Sequence, residues 1–269
     1  MTRCRTVFCR IIFGSGLALL AAGPPQNGHA APFAAVYDVY WAGLPAGRIR
    51  LGIGADRGHY RDEIAIRTEG LPHLVTRFRG VATAEGRLAP QRPAEPQRYD
   101  AVYDLRKRRD REISMRFVAR GGASVAEPGP GATDHDSPIA EAFRRNAVDP
   151  LSAYERIREA LRAALDGGPE SFTVPVYDGA RRFDVLGRLL PKSDGSTHTL
   201  KVLFTMRPIA GFKGAPRNGG DPDSAPRPTR MTFSDDARLL PLSATASVYW
   251  LPLVVQLDHI CTQPEACGL

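Results

Sequence analysis

The chain of 269 residues carries 36 basic and 29 acidic side chains, a formal charge of +7. The basic charge is almost all arginine; lysine occurs only at 107, 192, 201 and 213. The one dense cluster, RKRRDR (106–111), is interrupted by Asp110 and lies between two alternating apolar runs, which predicts a solvated hairpin tip and argues against nucleic-acid binding.

In chain order, residues 1–30 read as a secretory signal peptide. Arg3, Arg5 and Arg10 make a basic start, IIFGSGLALLAA (11–22) is an apolar run too short to span a bilayer comfortably, and GPPQNGHA (23–30) ends in small residues. Gly28 and Ala30 place the expected cleavage after Ala30, and the absence of a cysteine behind the apolar run argues against a lipid anchor. The mature chain, 31–269, would then be one β-rich domain of 239 residues with net charge +4 (7 − 3), not integral to the membrane once cleaved.

Period-two alternation governs the segment from 34 to 119. In AAVYDVYW (34–41), Ala35, Tyr37, Val39 and Trp41 share a face. GLPAG (43–47) reads as a turn, RIRLGI (48–53) as a strand with Ile49, Leu51 and Ile53 on one side, and GADRG (54–58) as a second turn. In HYRDEIAIRTE (59–69), Tyr60, Ile64, Ile66 and Thr68 oppose Arg61, Glu63, Arg67 and Glu69. LPHLVTRF (71–78) reads as a crossover and GVATAEGRL (80–88) as strand and turn. RYDAVYDL (98–105) and REISMRFVA (111–119) form a hairpin, with Tyr99, Ala101 and Tyr103 facing Ile113, Met115 and Phe117; 120–138 has the composition of a mobile loop.

The period then changes. In VDPLSAYERIREALRAALDGG (148–168), Leu151, Tyr154, Ile157 or Arg158, Leu161 and Leu165 recur at helical spacing, Asp149 suits an N-cap, Pro150 the first helical position, and Gly167–Gly168 the stop. Strands resume at 171–176, 182–190, 199–207, 229–234 and 242–250, with 213–228 as another loop. These elements predict a mainly β fold: a single antiparallel sheet, strongly curved or wrapped into an open barrel or spiral around one amphipathic helix.

Chemical motifs are sparse. The five mature histidines, 59, 73, 135, 198 and 259, form no ligand pair, and there is no nucleophile elbow or phosphate loop, so no metal, cofactor or catalytic residue is expected. Ser152 follows Asp149 inside the first helical turn, where capping accounts for both. Cys261 and Cys267, the two cysteines of the mature chain, are expected to form a disulfide that clips the tail; with His259 they are too few for zinc. In VYDGARRFDV (176–185), Asp178-Gly179 suits a hairpin turn. Arg181 and Arg182 should point to opposite sides, one solvated and the other paired with Asp178 or Asp184, or one should reach inward to hold an anionic head group.

Five stretches in order, YDVYWAGLPAGRIRL (37–51), YRDEIAIRTEGL (60–71), VDPLSA (148–153), YDGARRFD (177–184) and RPIAGF (207–212), resemble the domain-of-unknown-function 3108 family of exported bacterial proteins. The resemblance implies a periplasmic, mostly antiparallel β protein with no established chemistry, similar to open barrels that wrap a helix in envelope proteins and lipoprotein carriers. Members often carry a cysteine before the YDG segment and another on the next strand; 171–176 and 200–205 have none, so that bridge is absent here. The expected function is a non-enzymatic binding module of the cell envelope for a lipid, acyl chain or other amphiphile; the alternative is an assembly factor acting through contacts with other envelope proteins. Tyr37, Trp41, Tyr99 and Tyr103 are expected to line the ligand face, together with Phe117, Arg181, Arg182 and Trp250.

Overall fold

A computed structural model describes residues 32–70, 78–89, 92–105, 108–129, 139–191, 198–212, 228–248, 250–261 and 267. The expected signal peptide, the crossover at 71–77 and the loop 213–227 lie outside them. Seven strands come first: β1 (Phe33–Trp41), β2 (Leu44–Asp56), β3 (His59–Thr68), β4 (Phe78–Ala89), β5 (Arg92–Leu105), β6 (Arg108–Arg120) and β7 (Ala123–Pro128). A short helix α1 (Glu141–Arg144) and the long helix α2 (Ser152–Leu165) come next. Six strands complete the chain: β8 (Ser171–Tyr177), β9 (Arg182–Leu189), β10 (Thr199–Ala210), β11 (Thr229–Ser234), β12 (Pro241–Val248) and β13 (Leu251–Cys261).

All thirteen strands form one sheet in the order β7-β6-β5-β4-β3-β2-β1-β13-β12-β11-β10-β9-β8. Every neighbouring pair is antiparallel, so the sheet is an up-and-down meander joined through β1 and β13 and nearly closed into a barrel. The two edges, β7 and β8, face the segment between the helices. Asn146 N–H donates to Ser124 O (2.7 Å) on one side, and Val148 N–H donates to Pro175 O (2.9 Å) on the other. This segment bridges the seam, with isolated pairings Val125–Arg145 and Val148–Val176. Pro175 sits where a strand tolerates it, on an edge.

Three expectations are corrected. GLPAG is not a turn: the two-residue tip is Ala42–Gly43, both at positive φ, and Leu44–Gly47 already pair in β2. The expected loop at 120–138 contains β7, paired with β6 through Ala123–Pro128. The tail contains β13, whose register with β1 (Val39 opposite Val255, Trp41 opposite Leu253) joins the two halves of the sheet.

Helix α2 is held against the inner wall at both ends. Asp149 Oδ1 accepts from the backbone amides of Leu151 (3.0 Å) and Ser152 (2.8 Å), which fulfils the capping expectation. Ser152 donates to Asp149 (2.5 Å) and lies 2.6 Å from the Tyr60 hydroxyl, tying the helix start to β3. At the far end, Leu161 is fully buried among Leu200, Val202, Phe233 and Leu239, which contributes on the order of 2 kcal/mol. Room for the helix comes from small residues: the inward side of β4 is Gly80, Ala82, Ala84 and Gly86. A Cβ at Gly86 would run into the Tyr60 ring.

Candidate functional site

The inner wall changes character along the barrel. On β10 the inward positions run Leu200, Val202, Phe204 and Met206, with exposures of 1, 0, 7 and 40%. On β1, Phe33, Ala35 and Tyr37 are buried, whereas Val39 and Trp41 are half-buried. On β3, Tyr60 and Asp62 are buried and Ile64 and Ile66 are half-buried. One end is therefore filled by α2 and its contacts. At the other, where β1 ends at Trp41, the inward positions Val39, Trp41, Ile49, Ile66, Leu253 and Met206 are apolar and only partly covered; this end is termed the cup.

Nearer α2, the inward side chains include buried charged groups. Glu155 and Arg158 pair at 2.6 Å, both almost fully buried. Arg158 also donates from Nε to Arg238 O (2.9 Å) and lies over the Tyr154 ring, 5.6 Å from its centroid. Asp62, inward on β3 and 0% exposed, has no hydrogen-bond partner for either carboxylate oxygen. Burial, and then the Glu155 carboxylate, push its pKa up to about 9; Arg158 opposes this, and so does a backbone contact from Gly54 that falls short of hydrogen-bonding geometry. Burial also raises Asp149, to about 6, against the pull of its cap hydrogen bonds. The Tyr37 hydroxyl and Trp41 Nε1 are likewise buried without partners, and burial pushes the Tyr37 phenol up. The signal for Asp62 was present: it falls on the parity of Tyr60, Ile64 and Ile66, an acid on an apolar face. Glu155 and Arg158, three apart on a helix, look like an ordinary surface pair until the helix is seen to lie inside a barrel.

The expected ligand face is brought together in part. Tyr37 and Tyr99 are buried in the main core; Tyr103 and Phe117 pack on it half-buried. Tyr103 stacks with Phe78 (6.0 Å between centroids) and shares a 3.2 Å hydroxyl contact with Tyr99. Trp41 stands at the cup. Trp250 does not line the interior: it is 80% exposed at the tip between β12 and β13.

Arg181 and Arg182 also lie away from the interior. Residues 178–181 form a four-residue loop, with Asp178 Oδ1 accepting from the amides of Ala180 (3.0 Å) and Arg181 (2.7 Å). Gly179 sits at φ +92°. Arg181 pairs with Asp178 (2.7 Å) and lies over the Phe212 ring. Arg182 occupies the outer face of β9 and pairs with Asp184 (2.7 Å), which Arg207 also contacts (2.5 Å). Asp184 is partly desolvated, yet its hydrogen bonds to Arg207 and Arg182 hold its carboxyl below the usual carboxylate range. Both arginines contact acids, because alternation puts Arg182 on the side opposite Phe183 and Val185.

Cys261 and Cys267 are joined in a disulfide, and Cys267 is buried against Ala34 and Val36 on the outer face of β1. His259 lies within 4.8 Å of both sulfurs, but these are bonded to each other and are not ligands in this state.

The model of the family described as protein of unknown function DUF3108 matches residues 36–250. The chain belongs to the DUF3108 family. No curated protein matches it. Among solved structures it is similar to a β-barrel-like protein of domain of unknown function DUF1849 from Brucella abortus, with a TM-score of 0.50 and 11% identity, over 86% of this chain and 97% of that one. At that identity the likeness speaks for the fold alone, and it is the barrel that the two share. The family description names no catalytic activity.

Proposed function

We propose that this DUF3108 protein is a non-enzymatic binding module of the cell envelope, whose open barrel half receives the apolar part of a lipid, acyl chain or other amphiphile. The rise in exposure along inward-facing Leu200, Val202, Phe204 and Met206 carries the reading: apolar side chains face a lumen that α2 does not fill at that end. Trp41 Nε1 and the Tyr37 hydroxyl, buried on the same wall without partners, would hold polar atoms of such a ligand. Ser152, fully buried and donating to Asp149, has no free approach for a substrate, which favours binding over hydrolysis.

The test is native mass spectrometry and lipid extraction of protein purified from the periplasm, followed by titration of the stripped protein with a fluorescent fatty acid. Wild type should carry a lipid-sized adduct and bind the probe, and Ile66→Trp, which fills the cup, should lose both while melting cooperatively. A wild type that carries no adduct and does not bind the probe would overturn the reading.

A further inference from the structure

The outer face of the β1–β13 pair carries a cluster that the barrel interior does not use. Ala34 lies opposite Cys261 and Val36 opposite His259, so Cys261 and His259 stand two apart on one strand and share a face. Cys267 is folded back onto that face, buried against Ala34 and Val36. A ring nitrogen of His259 and both sulfurs lie within 4.8 Å of one another.

The ladder slips by one residue at this point. Val36 faces His259 and Tyr37 faces Leu257, which leaves Asp258 as the extra residue of a β-bulge. The bulge lets Asp258 and His259 meet, where regular alternation would send their side chains to opposite faces. His259 Nδ1 donates to Asp258 Oδ2 at 3.0 Å. With Nδ1 committed to a carboxylate, Nε2 keeps the lone pair that a metal takes; ligand histidines are commonly held by an outer carboxylate in this way.

While the sulfurs are bonded to each other, the imidazole is the lone donor of the three. A dithiol reductant changes that. It gives two electrons and two protons to the S–S bond, becomes a disulfide itself, and leaves thiols at Cys261 and Cys267. Cys261 is half-buried, not sealed, which admits the attacking thiolate. Donors around a tetrahedral zinc stand roughly 3.5–3.8 Å apart, so His259 has to close in by about 1 Å, a shift that side-chain rotation supplies. Three donors are too few for a closed structural zinc site, but an open one takes three and a water. His259 is exposed, which leaves the fourth position to solvent, and two thiolates balance the charge of the ion.

We propose that reduction of the Cys261–Cys267 bond opens a Zn²⁺ site on the outside of the barrel, with both thiolates and His259 as ligands, Asp258 orienting the imidazole, and water in the fourth position. As Zn²⁺ binds, the two thiols release their protons to solvent. The site does not depend on what the barrel interior holds.

The experiment uses the full chain carrying Cys4→Ser and Cys9→Ser, which leaves Cys261 and Cys267 as its two cysteines. The protein is reduced with a dithiol, freed of it by gel filtration under nitrogen, and titrated with Zn²⁺ against a chromophoric chelator and, separately, with Co²⁺. Reduced protein should take up one Zn²⁺ per chain, melt at a higher temperature with it, and show thiolate-to-metal charge-transfer absorption with Co²⁺. Oxidised protein should show none of these. Asp258→Ala should weaken Zn²⁺ binding about tenfold, and His259→Asn more than that, with the charge-transfer band retained. Cys261→Ser with Cys267→Ser should abolish binding and melt as the reduced, metal-free protein does, which verifies that the fold outlasts the open disulfide. The proposal fails if oxidised and reduced protein bind Zn²⁺ alike, or if His259→Asn binds as tightly as the parent. It fails equally if sedimentation shows two chains sharing each ion, or if reduction itself unfolds the protein, because the site needs the β1–β13 ladder to hold His259 beside Cys261.

Discussion

Gly179 and Gly167 offer a controlled measurement of how tightly the turn after β8 is seated on β6 across the seam. Their φ values are +92° and +89°, so alanine meets the same backbone penalty at both. Their surroundings differ. A Cβ at Gly167, past the end of α2, would meet nothing within 4 Å; at Gly179 it would come 2.7 Å from Cγ2 of Ile113 on β6. Gly167→Ala should therefore cost about 1–2 kcal/mol, the left-handed backbone penalty alone. Gly179→Ala adds an overpacking cost of about 1–3 kcal/mol. For a domain of this size the second variant should melt roughly 4–20 °C below wild type and the first roughly 2–8 °C below. Urea unfolding of disulfide-intact protein gives both free energies, and adding Ile113→Ala to each should erase the difference between them. Equal costs within about 0.3 kcal/mol would refute the contact across the seam. A neutral Gly167→Ala would refute the backbone argument itself.

Asp62 titrates inside the fold near pH 9, far above its value of 3.8 in the unfolded chain, so the folded state holds the extra proton between those limits. Stability should fall as pH rises through that window, at most by about 1.4 kcal/mol per pH unit, and level off above it. Asp149, at about 6, adds to the lower part only. Asp62→Asn should flatten the profile from about pH 6.5 to about pH 8.5 and raise stability most at the alkaline end; parallel urea-unfolding profiles for the two proteins would contradict the assignment. For the arginine pair, Arg182→Met strips one partner from nearly buried Asp184 and should cost about 1–3 kcal/mol. Arg181→Met breaks a pair whose arginine is more than half exposed and should cost at most about 1 kcal/mol. Thermal melts showing the reverse order would mean that Arg182, not Arg181, is the solvated one.

Alternation and helical period are properties of single segments, and here they sufficed for most of the architecture. Tyr37, Ile49, Ile64 and Tyr99 face inward as their parity requires, and Asp149 and Gly167 bracket α2 because capping is chemistry within a few residues. The pairing of Cys261 with Cys267 was legible for the same reason, since the two lie only six residues apart. The composition of 120–138 concealed β7, because an edge strand needs only one partner and tolerates glycine and proline around it. The run LPLVVQLDHIC was overlooked as β13 because its apolar residues are not confined to one parity and its partner, β1, lies more than 200 residues away in sequence. Which inward positions are covered was settled by three-dimensional packing alone. Parity gives Val202 and Met206 the same face, but α2 is 14 residues long and packs against one end of the wall, so Val202 is sealed and Met206 is open. The same closure made a buried ion pair of Glu155 and Arg158, and put Arg182 and Trp250 outside the chamber they were expected to line. Whether a side chain meets core, ligand or water depends on what the rest of the chain places opposite it, and the helix that does so here is more than a hundred residues from β1.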